Sequence, residues 1–143
     1  MTRWAGLRFG ASTPAVCAAS FWLGATVRAR ATAGPAWEAL EKYAPSWTPL
    51  WLSAEPLSIA IGGPPIPPPS LATRIKWVAA GAETGPKSHD LMASDVRGLR
   101  DWCAKHRVPF YIKSSDSKGG RELDGRVHDA TPWQQPANNK YTP

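Results

Sequence analysis

Apolar positions fall into four short runs, each bounded by glycine, proline or serine: residues 21–27 (FWLGATV), 50–55 (LWLSAE), 75–80 (IKWVAA) and 108–112 (VPFYI). Runs this short and this rich in β-branched and aromatic residues predict buried strands rather than helices. Helical spacing appears between them in two places. Gly34 and Pro35 open the first helix, where a proline at the first turn loses no hydrogen bond, and Trp37, Leu40 and Tyr43 then recur at intervals of three before Pro45 stops it. The second begins near Ser94 as N-cap, with Asp95 in the electropositive first turn. Val96, Leu99, Trp102, Cys103 and His106 make its apolar face, Arg97, Arg100, Asp101 and Lys105 its solvated side, and Val108 and Pro109 its end.

A rhythm of strand, helix, strand repeated along the chain predicts an α/β fold with parallel strands and helical crossovers, since parallel neighbours need a connection of about a dozen residues or more. The link between the second and third strands departs from that rule. Five prolines between Pro64 and Pro69 forbid a helix interior, so this crossover is expected to be extended, either packed as a stiff connection or presented as a polyproline ligand. Beyond the fourth strand, residues 121–128 (RELDGRVH) place Asp124-Gly125 between strand-compatible flanks, the signature of a type I′ hairpin, with Arg126 following the turn. The organisation expected is an irregular lead over 1–20, a partial barrel domain with its hairpin over 21–132, and a loose tail over 133–143. Four parallel strands with helices on one face would leave two open edges and an uncovered inner face, predicting self-association or a partner.

A length of 143 residues suits one domain, since a chain of this size buries roughly two-thirds of its unfolded surface. Lys and Arg outnumber Asp and Glu by 17 to 11, a balance of +6 that favours attraction to phosphate-bearing partners such as nucleic acid, the alternative being a solvated basic surface. Cys17 and Cys103 lie far apart, outside any Cys/His cluster, so no metal site is expected within the chain and both read as reduced thiols. The first twenty residues lack the continuous apolar segment of a secretory signal, and no run approaches a membrane span, which together predict a cytoplasmic protein.

Binding groups in parallel sheets gather where strands end at their carboxyl termini. Arg28, Glu55, Glu83 and Lys113 each follow or close one of the four strands, and Gly81 and Gly85 flank Glu83 with backbone that can turn tightly. If neighbouring strands lie about 4.8 Å apart, Glu55, Glu83 and Lys113 share one pocket. Glu83 reads equally as an anchor for Lys113 or for its own loop, and Arg28 and Lys113 as surface charge. His89, His106 and His128 stand in no nucleophile spacing, so no triad is legible.

The S-x-E-P around Glu55, the G-x-E-[ST]-G around Glu83 and the L-D-G-R at 123–126, taken in this order, resemble the C-terminal half of the phage-associated gp-thirty-seven/gp-sixty-eight family, itself similar to radical-SAM barrel proteins and without an assigned reaction. The resemblance covers about 21–132. This chain has Ala82 where that family usually has Gly, and Arg28 and Ala29 where it usually has an acidic residue and an amide. The resemblance implies an iron–sulfur cluster and S-adenosylmethionine, but a cluster needs three or four thiolates and the chain has two cysteines. The expectation is therefore a truncated, phage-derived, radical-SAM-like domain, inactive alone, with cysteines for any cluster coming from an N-terminal half-barrel partner. The alternative is a non-catalytic basic module that binds nucleic acid or a protein.

Overall fold

The computed structural model of the chain describes residues 22–57, 63–83, 91–114 and 120–133. Strands β1 (Leu23–Thr26), β2 (Leu50–Ala54), β3 (Ile75–Gly81) and β4 (Phe110–Ser114) form one sheet in the order β1-β2-β3-β4, and every neighbouring pair is parallel. A short 3₁₀ turn (Arg30–Thr32) and helix α1 (Gly34–Tyr43) connect β1 to β2, while helix α3 (Ala93–His106) lies between β3 and β4. The α/β fold with parallel strands and helical crossovers is as the apolar pattern predicts.

The prolines of the remaining crossover take the first of the two roles open to them. Pro65 and Pro67 are buried, and Pro64 lies so close to α3 that a Cβ on Gly98 would stand 2.7 Å from its Cγ. The segment is thus a packed connection and its prolines are not displayed as a ligand. Its end is not wholly extended, however: Pro69–Ala72 winds into one helical turn, α2, because a proline at the first turn has no N–H to lose.

Alternation along the strands divides the sheet into two faces. Leu50, Leu52 and Ala54 of β2, Val78 and Ala80 of β3, and Phe110 and Ile112 of β4 are buried against Leu40 of α1 and Val96, Leu99, Trp102 and Cys103 of α3. Each such aliphatic side chain contributes about 1.5–3 kcal/mol by leaving water. The opposite face carries Gly24, Trp51, Ser53, Trp77, Ala79, Tyr111 and Lys113, and no described helix covers it.

Helix α3 starts one residue before Ser94, with extended Met92 as N-cap, so Ser94 lies inside the first turn and makes no cap. Its end also differs from the simple proline stop. Arg107 adopts the left-handed conformation (φ 57°), and the Val108 N–H donates to the Cys103 carbonyl at 2.9 Å, closing the helix as a glycine would. His106 is exposed rather than part of the apolar face, its ring 4.6 Å from that of Trp102.

The hairpin forms at the Asp-Gly pair: β5 (Glu122–Leu123) and β6 (Arg126–Val127) are antiparallel, with Asp124 and Gly125 both at positive φ (54° and 72°), as a type I′ turn requires. It is fastened to α3. Asp124 accepts hydrogen bonds from Arg97 at 2.6 Å and Arg100 at 2.7 Å, so these arginines clamp the turn instead of forming only a solvated side. Past the hairpin, the Ile112 N–H donates to the His128 carbonyl at 2.8 Å, and Tyr111 and Asp129 form an antiparallel bridge. The outer edge of β4 is therefore capped, which corrects the expectation of two open edges. Among the described residues, β1 pairs with β2 alone.

A carboxylate rim and an indole face

Glu55 immediately follows β2, and by alternation it belongs to the helix-free face with Trp51 and Ser53. Its side chain crosses Gly81 of the neighbouring strand: a Cβ at that position would stand 3.1 Å from Glu55 Cγ and 3.2 Å from Cδ. The absent side chain at Gly81 makes the space in which the carboxylate lies. On the far side of Gly81, Lys113 Nζ donates to Glu55 Oε2 at 3.2 Å. Lys113 is the extra residue of a bulge, since Ala80 pairs with Ile112 but Gly81 with Ser114. Bulges of this kind re-aim a side chain at a strand end. Backbone bonds from Leu57 N–H to the Gly81 carbonyl (3.0 Å) and from Ala82 N–H to the Ser114 carbonyl (2.9 Å) hold the three strand ends together. The Glu55–Pro56 peptide bond is cis.

Of the residues expected at the rim, the structure joins Glu55 and Lys113 in an ion pair across Gly81. Lys113 is 66% exposed and Glu55 25%, so the carboxylate is the seated partner and the ammonium the solvent-facing one. Glu83, two residues past β3, and Arg28, beyond β1, are both exposed. Gly85 and His89 lie outside the described residues, as does Cys17. The arrangement can hold a group carrying an amine against Glu55 and an acid against Lys113, because each charge is half of such a pair already.

An isolated half-barrel is expected to leave Trp22, Trp51 and Trp77 partly exposed, and all three are; sequence reasoning did not single out the surface they form with Tyr111 and Trp133 on the same face. Trp51 and Trp77 stack with centroids 5.5 Å apart, and Trp133 and Tyr111 meet Trp77 edge-on at 5.4 and 6.1 Å. Gly24 is the reason Trp51 can lie flat, since a Cβ there would be 2.1 Å from the indole Nε1. The Trp77 Nε1–H donates to the Ala130 carbonyl at 3.1 Å, which fixes the chain that brings Trp133 over the sheet. Trp22, Trp51, Trp77, Pro132 and Trp133 line a cavity of about 280 Å³. The alternation of Trp51 and Trp77 with helix-facing leucine and valine was the available signal.

Cys103 is buried on α3, where loss of solvent pushes its thiol far above the usual range. Among the described residues, no three His, Cys, Asp or Glu side chains gather as a metal site would require, and no helix is long and apolar enough to cross a membrane.

No curated protein and no solved structure matches the chain. Residues 3–132 match a family described as protein of unknown function (DUF5131), a span that takes in all four sheet strands, the helices and the hairpin. The chain belongs to the DUF5131 family.

Proposed function

We propose that this chain is the ligand-positioning part of a phage-derived, radical-SAM-like barrel protein, and that it holds its ligand between Glu55 and Lys113. The observation that carries the proposal is the seat of Glu55: a carboxylate laid over a glycine at the carboxyl end of a parallel sheet, paired with a lysine delivered by a bulge. Strand ends of this polarity are where ligands bind in α/β sheets.

The donor set does not fit an iron–sulfur cluster. The described cysteine, Cys103, is enclosed in the apolar core, where burial favours the neutral thiol over the thiolate a cluster binds, and two cysteines in the chain fall short of the three or four required. The chain's own contribution is therefore to orient and neutralise. S-adenosylmethionine, the ligand that the radical-SAM resemblance implies, carries an amine and a carboxylate at its amino-acid end, the two charges that Glu55 and Lys113 complement.

Equilibrium dialysis with S-adenosylmethionine tests the assignment. Glu55→Gln and Lys113→Gln should each weaken binding about tenfold, the scale of one hydrogen bond to a charged group, with the fold unchanged by circular dichroism. Affinity unaltered by either substitution overturns the rim. Anaerobic reconstitution with iron and sulfide should leave the isolated chain without a cluster or S-adenosylmethionine cleavage, and a stable four-iron cluster with stoichiometric cleavage would contradict the division of labour.

A further inference from the structure

The indole face is built differently from the rim and asks for a different ligand. Its floor is flat, with Trp51 lying across Gly24 and stacked beside Trp77, and its rim is Trp22, Pro132 and Trp133. Trp133 is 71% exposed, and Trp22, Trp51 and Trp77 are each partly exposed, so aromatic planes stand open to solvent on a sheet whose other side is packed by helices. The cavity continues toward the amino ends of β3 and β4. There a second, larger space of about 530 Å³ shares Trp22 and Pro132 with the first and is lined by Lys76, His106 and Arg107. Among the described residues, no acidic side chain lines either space. Lys76 is the bulged residue between Ile75 and Trp77, and its Nζ rests on the Thr73 carbonyl at 2.7 Å; Arg107 is the exposed left-handed residue that ends α3.

We propose that this face binds single-stranded nucleic acid, with bases stacked on the indoles of Trp51, Trp77 and Trp133 and the backbone phosphates drawn to Lys76 and Arg107. Stacking platforms beside a basic groove are how proteins hold unpaired strands, since every base offers a π-face and the phosphates supply sequence-independent attraction. An open sheet face bearing aromatics is one of the surfaces on which such bases stack. Charge supports this occupant over an apolar peptide, because the charged side chains among the described lining of the larger space are the cations Lys76 and Arg107 and the chain carries +6 overall. A duplex does not fit the chemistry, as its bases are stacked on one another and present no free planes. The inference is independent of the rim, since Glu55 and Lys113 lie at the carboxyl end of the same sheet and Lys76 and Arg107 at the amino end.

Titration of the full chain with a fluorescein-labelled ten-nucleotide oligothymidylate, followed by anisotropy and by quenching of tryptophan emission, tests it. Trp133→Ala should weaken binding at least about fivefold, the lower end for one lost stacking contact, and Lys76→Gln with Arg107→Gly should flatten the logarithmic salt dependence by about 0.7 per cation removed. Trp133 and Arg107 are both exposed, so these variants test binding without emptying the core. Equal affinity for a duplex or for inorganic polyphosphate would show charge attraction alone and overturn the proposal. So would wild-type binding that Trp133→Ala leaves unchanged, or tryptophan emission that neither oligonucleotide nor acrylamide quenches, which would mean that protein already covers the face.

Discussion

Two residues show how a single backbone position sets what its neighbours can do. Gly24 carries no side chain because Trp51 occupies the space, and a methyl group there would meet the ring 2.1 Å from Nε1. Gly24→Ala is expected to lower stability by about 1–3 kcal/mol, the range for overpacking, and to shift tryptophan emission as Trp51 is pushed off the sheet. Denaturant melts followed by fluorescence check both effects. Arg107 is the reverse case, a side chain where the backbone would prefer none. Its φ of 57° strains an L-residue, so Arg107→Gly should raise stability by about 1 kcal/mol in the same melts. Neither position was legible from sequence. Gly24 sits inside an apolar run where nothing marks which neighbour lies over it, and the stop of α3 reads from Pro109 although the residue that turns the chain is Arg107.

At the scale of elements, the hairpin is held by charge and by burial, and the two respond differently to acid. Burial, and then the Arg100 guanidinium, lower the pKa of His128, whose ring packs edge-on against Phe110 at 5.7 Å; Asp124 and Arg126 are the other charges near it. Because the unfolded imidazole takes a proton near pH 6.5 and the folded one resists it, the unfolded state binds more protons, and stability should decline as pH falls below about 6.5. Asp124, hydrogen-bonded to Arg97 and Arg100, has its carboxyl held far below the usual range. Its stabilisation is complete above the ordinary carboxylate pKa of about 3.9 and is lost as pH drops below it. Thermal melts from pH 8 to pH 3 should show both declines, the upper one missing in His128→Phe and the lower one missing in Asp124→Asn. The strands, the helices and the hairpin turn were legible because each has a local pattern: apolar runs, three-residue spacing, Asp-Gly. The docking of that hairpin on α3 was not, because a charged pair separated by 27 residues leaves no periodic trace. The rim was legible in position, through Glu55 and Lys113 at strand ends, and illegible in detail, since only the bulge at Lys113 and the bare Gly81 explain why those two meet.

At the scale of the whole molecule, the core reports on global opening. Cys103 is enclosed by the sheet and α3, and its raised pKa keeps it a thiol, so it should react with an aromatic disulfide only when the fold opens. Native protein is expected to titrate no more than one thiol per chain, with the second appearing in denaturant; two fast thiols in the native state would contradict the burial. The capped outer edge of β4 sets a limit of another kind. A sheet that can accept strands on both sides can grow without end, as fibrils do, whereas among the described residues β1 alone keeps an unpaired edge, which allows one joining event per chain. Edge-to-edge association through the described strands therefore terminates at a pair, and propagation into a polymer would first require the segment at His128 and Asp129 to be peeled away.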